Sequence, residues 1–343
     1  LVKSRYGGIF LKNFMSKSDL TPPQLDIPKE KWPLLAKIAS LYYEKNLTQA
    51  EIARQLNISR PQVSRLLAEG RETGVVKIII RYPHDRHFSL RQNLIDRFNL
   101  KDALLIASGN LGYSQLIQRL GEEAARHLDA RLQDGITLGI SWNTGVYHVV
   151  NALQSARRKG VTVVQLTGSV GSVNPLVNGP DLTRWLAQTL GAQYQYLPAP
   201  LVVESPETRK ALMQDRAIRE PMALIEQMDI ALVGIGGLSP ALSSLLAAGY
   251  ISEAELREIV RQGGVGDICS YHYDLHGHVL PLELHQRIIG VNLDILKKIP
   301  YVIGVAGGID KATSILGALR TRVIDCLVTD DMAARTVLKM DES

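Results

Sequence analysis

The chain has 343 residues, of which 45% are apolar, a net charge of +5 and two cysteines, Cys269 and Cys326. That length suits two domains with a sizeable core. It offers no run of the roughly 18 to 20 apolar residues that a spanning helix needs, no secretory signal after Lys3 and Arg5, and no disulfide framework, so a membrane is excluded as partner and a reducing cytoplasm is expected.

The charge is unevenly spread. Residues 1–88 hold 15 Lys and Arg against 8 Asp and Glu, a net of +7, while the remainder holds 24 against 26, a net of −2. A basic N-terminal quarter suits a phosphate backbone, which it binds by releasing counterions, although a solvated basic face has the same composition.

Taken in chain order, residues 1–30 carry Gly7-Gly8 and Pro22-Pro23 and few periodic apolar positions, and read as a loose tail in which Met15 is a candidate start. From Trp32 to Tyr43, Leu34, Leu35, Ile38, Ala39, Leu41 and Tyr42 recur at helical spacing. LTQAEIARQLNISRPQVSRLL follows, from Leu47 to Leu67. Thr48-Gln-Ala-Glu51 is a capping box for one helix, and Ser59-Arg-Pro-Gln62 is a second for the next. Asn57 stands in the turn, where a left-handed backbone is wanted. Ile52, Leu56, Ile58, Val63 and Leu66 are apolar where two crossed helices meet, and Ala53 is small where they approach closely. The pattern is a helix-turn-helix.

On the second helix, Arg60, Gln62, Ser64 and Arg65 remain after the buried positions are removed. Arg and Gln match the donor and acceptor pattern of the major groove. Together with the Ser59 cap they are the candidate base-reading residues, and Thr48, Gln49 and Arg54 are candidate phosphate contacts. The plain alternative is a helical hairpin with a solvated polar face. Gly74 closes a helix, VVKIIIRY (75–82) reads as a strand, and HDRH as a short linker. The domain boundaries are therefore a tail over 1–30, a DNA-binding domain over 31–88 and a larger domain over 89–343.

Beyond Phe88, short apolar strands alternate with helices. ALLIA, ITLGIS, VTVVQLTG, IALVGIGG, YVIGVAGG and DCLVTD are the strands; Leu116–Leu132, Leu182–Leu190, Glu253–Arg261 and Lys311–Arg320 are helices. This alternation predicts an α/β fold with a mostly parallel sheet covered on both faces. GISWNTG (139–145) leaves a strand and enters a helix, where backbone amides and the Ser141 and Thr144 hydroxyls can hold phosphate; a purely structural turn reads the same way. QLTGSVG (165–171) ends another strand similarly, with Gly168 and Ser169 at its mouth. GIGG (234–237) lacks the third glycine of a dinucleotide turn, since Ser239 stands in its place, so no cofactor is expected. His272, His276 and His278 surround Asp274, but LHGH reads as a hairpin turn and no metal is expected there.

LYYEKNLTQAEIARQLNISRPQVSRLLAEGRETGVVKI closely resembles the N-terminal domain of the SorC-type sugar-operon regulators. GVGDICSYHYDLHGHV, VIGVAGGIDKATSILGALR and IDCLVTDDMAARTVL continue the resemblance in order over nearly everything after the tail. The resemblance implies a DNA-binding domain joined to an effector domain similar to sugar-phosphate isomerases and CoA transferases. It implies a homotetramer or dimer acting on a double-stranded DNA operator under control of a phosphorylated sugar. It places a phosphate loop at Gly139, Ser141, Trp142, Asn143, Thr144 and Gly145, and sugar contacts at Asp267 and Lys311. A second function stays open at this point: an isomerase fused to a helical head, with Asp267 and Lys311 in acid–base roles.

Overall fold

A computed structural model describes residues 31–76, 87–154, 157–170 and 178–342. These residues fall in two compact units, a head over 31–76 and a body over 87–342.

In the head, α1 (Trp32–Ala39) runs on into a π-helical turn, Ser40–Glu44. Two further helices follow, α2 (Gln49–Leu56) and α3 (Arg60–Glu72). The Thr48 hydroxyl accepts the Glu51 N–H at 3.3 Å while the Glu51 carboxylate accepts the Thr48 N–H at 2.8 Å, so both halves of the first capping box form. At α3 only one half forms: Ser59 Oγ accepts the Gln62 N–H at 3.3 Å, and the Gln62 side chain does not reach back. Asn57 is left-handed at φ 52°. Ile38, Leu41, Ile52, Ala53, Val63 and Leu67 form the core. Leu56, Ile58 and Leu66 are half-buried around it, so Leu67 rather than Leu66 is the deep anchor of α3. The expected strand over 75–82 lies outside the described residues from 77 onward.

The body begins with α4 (Phe88–Phe98), β1 (Asp102–Ile106), α5 (Tyr113–Asp129), β2 (Thr137–Ile140), α6 (Thr144–Ala152) and β3 (Thr162–Gln165). It continues with α7 (Gly179–Leu190), β4 (Gln193–Gln195), α8 (Pro206–Gln214), α9 (Arg216–Ile225), β5 (Ile230–Gly234) and β6 (Gly236–Gly237). Then come α10 (Ser244–Ala247), α11 (Glu253–Arg261), β7 (Gly264–Ile268), β8 (Tyr271–Asp274), α12 (Leu293–Leu296), β9 (Tyr301–Val305), α13 (Ala312–Arg320), β10 (Cys326–Asp330) and α14 (Asp331–Asp341). Seven strands form a parallel sheet in the order β1-β10-β9-β5-β2-β3-β4. β5 and β10 are buried at every residue, which requires cover on both faces.

The strands and helices expected beyond Phe88 all form, with ends shifted by a few residues. Lys311 is not helical as expected: it closes a 3-10 turn, Ile309–Lys311, before α13. The three-residue edge strand β4 and the short strand β7 were not expected, while β8 carries the Tyr271–Asp274 alternation that precedes the hairpin turn at LHGH, and β6 is the end of IALVGIGG. Between β7 and β8 the turn is made by Cys269 (φ 51°) and Ser270 (φ 69°), two consecutive left-handed residues that are not glycine. That backbone costs on the order of 1 kcal/mol at each. The Ser270 N–H bonding the Asp267 carboxylate at 3.1 Å helps to hold it. Among the described residues no helix is long and apolar enough to cross a membrane.

Candidate DNA-binding head and effector pocket

In the head, Thr48, Arg54, Ser59, Arg60, Gln62, Ser64 and Arg65 are exposed, and Gln49 is half-buried. The alternation is set by α3 itself: Val63 and Leu67 turn into the core, so Arg60, Gln62, Ser64 and Arg65 are left in solvent. A wide groove runs past the start of α2, lined by Tyr42, Tyr43, Asn46, Thr48, Gln49 and Arg60. The groove therefore joins candidate residues of both helices. It adds Tyr42, Tyr43 and Asn46, which apolar periodicity had assigned only to packing or passed over.

In the body, the direction in which the chain crosses the sheet reverses at β2. From β2 the chain steps outward through β3 to β4, then returns to the other side of β2 as β5 and continues to β9 and β10. Such a switch point leaves a crevice at the carboxyl ends of the two strands, where ligands of open α/β sheets bind. Ser141 is buried at the end of β2, and its Oγ accepts the Gly234 N–H across this crevice at 3.4 Å.

A pocket opens there. Its walls are Tyr113 and Ile117 of α5, Asn143, Thr144 and Gly145 at the start of α6, Gly236, Leu242, Ser244, Val305 and Lys311. Asn143 caps α6 by accepting the Val146 N–H at 2.8 Å. The positive end of the α6 macrodipole therefore lies at the pocket. Lys311 Nζ donates to the Ile235 carbonyl at 2.7 Å. The residue is half-buried, and desolvation brings its ammonium down to about 8, with Asp267 opposing the shift. Desolvation likewise pushes Asp267 up to about 6, against the pull of the Ser270 N–H and of Lys311. A lysine and a helix N-terminus thus meet at one crevice, and the Asp267 carboxylate lies behind its wall, against Gly236. The first two suit an anion and the third suits a hydroxyl.

The glycines of GIGG make this possible. A Cβ at Gly234 would lie 1.2 Å from Asn143 Nδ2, and one at Gly236 would lie 1.9 Å from Asp267 Oδ1. The segment that looked like a defective dinucleotide turn is a spacer that leaves room for Asn143 in the pocket wall and for Asp267 behind Gly236. Replacing Gly236 by alanine is expected to displace the Asp267 carboxylate and abolish the effector response, with DNA binding retained. Effector titration against a DNA-bound fluorescence signal checks this, and an unchanged midpoint would contradict it.

Other expected residues are placed elsewhere. Gly139 is inside β2, where a Cβ would meet Met228 Sδ at 2.3 Å, so its role is packing. Trp142 packs against the body's core. Gly168 and Ser169 are not part of this pocket: they are bonded to Ile289 and Ala199, and a Cβ at Gly168 would meet the Pro200 carbonyl oxygen at 2.4 Å. Gly171 lies outside the described residues. His272 stacks on His285 with ring centres 5.4 Å apart, and burial brings both imidazoles down to about 4. The Asp274 carboxylate accepts the His276 and His278 N–H groups, which closes the hairpin turn expected at LHGH. Among the described residues no group of three or more His, Cys, Asp or Glu is placed to hold a metal ion.

The fold and site define a two-part protein, with a helix-turn-helix head and a parallel-sheet body that has a pocket at its switch point. Residues 82–339 match the model of the Sugar-bind family, a sugar-binding domain, and residues 36–73 match that of Sigma-70, region 4. The chain is 35% identical to the sorbitol operon regulator of Klebsiella pneumoniae, over 89% of this chain and 98% of that one. It is 32% identical to the deoxyribonucleoside regulator of Bacillus subtilis, over 90% and 98%. The crystal structure of the full-length Klebsiella pneumoniae regulator SorC superposes with a TM-score of 0.68 at 33% identity, covering 90% of this chain and all of that one. The chain belongs to the SorC-type family of sugar-operon transcriptional regulators. Its relatives are named as regulators rather than enzymes, so the isomerase reading is set aside.

Proposed function

We propose that this chain is a cytoplasmic regulator of a carbohydrate catabolic operon, with a DNA-binding domain over 31–88 and an effector domain over 89–343. Thr48, Gln49 and Arg54 hold the operator backbone, while Ser59, Arg60, Gln62, Ser64 and Arg65 face its major groove. The heads act in pairs within a homo-oligomer, since one such motif binds weakly and paired motifs read palindromic sites. A phosphorylated sugar occupies the body's crevice. Its phosphate sits between Thr144, Gly145 and Lys311, and Asp267 accepts a hydroxyl. Sugar binding then shifts the subunit arrangement through its different affinity for the two arrangements.

The observation that carries this reading is the meeting of Asn143–Gly145 and Lys311 on one pocket at the sheet's switch point. A thermal-shift screen of pentose and hexose phosphates beside their unphosphorylated sugars tests it. At least one phosphate ester is expected to raise the melting temperature, because a ligand that binds only the folded form stabilises it. Stabilisation by free sugars alone would remove the phosphate from the proposal.

A further inference from the structure

Asp330 ends β10 and is wholly buried, yet it is not part of the pocket wall. Its two carboxylate oxygens are divided between two tasks. Oδ1 accepts the Met332 and Ala333 N–H groups at 3.1 and 3.0 Å and so caps α14. Oδ2 accepts the Gly308 N–H at 2.5 Å, reaching from β10 to the loop that follows β9. The Gly308 carbonyl in turn accepts the Lys311 N–H at 3.0 Å, closing the 3-10 turn that presents Lys311. Two glycines admit this arrangement. A Cβ at Gly307 would lie 2.7 Å from Asp330 Oδ2, and Gly308 stands at φ 91°, which side chains rarely adopt. The neighbouring Asp331 does the same for the facing wall. Its Oδ1 accepts the Ser108 N–H at 2.8 Å and the Ser108 hydroxyl at 2.7 Å, in the loop that leads to Tyr113.

We propose that Asp330 is a positioning residue for the effector site: through Gly308 it fixes the turn that sets the Lys311 ammonium at the mouth of the crevice. The ammonium must be held against the Ile235 carbonyl by something other than its own flexible stem. Asp330 supplies that anchor, because it is rooted in β10, the strand paired with β9, whose following loop carries Gly308. The functional consequence rests on the proposed role of Lys311 in holding the effector phosphate; the structural link does not.

The experiment uses the full chain and needs no effector. Asp330→Ser retains a hydroxyl that caps α14 but has no second oxygen for Gly308. Lys311 acetylation by an amine-reactive ester is followed by mass spectrometry, with the exposed Lys45 as internal reference. In the variant, Lys311 acetylation is expected to rise about tenfold relative to Lys45, the equivalent of one lost charge-assisted hydrogen bond, while far-ultraviolet dichroism stays native. An unchanged Lys311 rate in a folded variant overturns the proposal, because a merely structural role would leave that ratio alone. Should the variant fail to fold, hydrogen exchange of the wild-type chain decides: slow Gly308 and Lys311 amides support the link, and fast exchange at both overturns it. Titration of Lys311→Ala with fructose 6-phosphate and inorganic phosphate tests the functional reading separately. Wild-type affinity for these anions in that variant would defeat the role of Lys311 without touching the role of Asp330.

Discussion

Replacing Arg60 and Arg65 together by alanine is expected to abolish specific operator binding and leave the fold intact. Both side chains are exposed, and the core of the head is made by residues on the other side of α3. Exposed substitutions of this kind usually change stability by less than about 0.5 kcal/mol. A well-placed Arg contact to a base edge discriminates by about 1–3 kcal/mol, so two together are worth on the order of 30-fold to 10⁴-fold in affinity. Duplexes selected from a random pool by the wild-type protein supply the operator. Anisotropy titration against a scrambled duplex then reads the loss, with residual salt-dependent binding to both. A double variant that still prefers the selected duplex would take α3 out of the major groove. Arg54→Ala is the useful contrast. It lies on α2 rather than on the reading helix, so it is expected to weaken both duplexes alike.

The second large effect concerns Lys311. Lys311→Ala is expected to weaken the effector response by about 10- to 100-fold, the range for a hydrogen bond to a charged group, while operator affinity without effector is unchanged. Lys311 and the neighbouring Asp267 are also expected to impose a pH window on that response. Lys311, brought down to about 8, loses its charge as pH rises through that value, and phosphate binding weakens above it. Asp267, pushed up to about 6, is neutralised as pH falls through that value and accepts hydroxyls less well below it. Effector affinity is thus expected to be highest between about 6 and 8 and to fall on both sides. In Lys311→Ala the alkaline fall disappears and the acid one remains. An effector midpoint that is flat across this range would separate the pair from ligand binding.

The head was legible because its signals are local. A cap, its partner three residues on, a left-handed Asn57 and the next cap all lie within the stretch from Thr48 to Gln62. Each is written in side chains whose preferences act over one turn of backbone. Even so, the second capping box was read as complete when only Ser59 forms its half, and Leu67 was not recognised as the buried anchor. Those points depend on side-chain reach and on the angle at which helices cross, which one-dimensional spacing does not contain.

The pocket was legible only in part. The start of α6 and Lys311, read from a strand-to-helix turn and from family motifs, line the pocket, whereas Asp267 lies behind Gly236 of its wall. Gly234 and Gly236 were discounted because a missing third glycine argued against a dinucleotide. Their real signal is the space they leave for Asn143 and Asp267. Gly168 and Ser169 repeated the look of a ligand turn, but backbone bonds to Ala199 and Ile289 absorb them.

By itself, the sequence determined the two-part division of charge, the helix-turn-helix and the alternation of strand and helix, because capping, turn preference and periodicity act between near neighbours. Only the tertiary structure decided which loops share a site. Asn143, Gly236, Val305 and Lys311 meet because the sheet reverses its order between β2 and β5. That reversal is settled by strand pairing and burial across the whole body, interactions that no local stretch encodes.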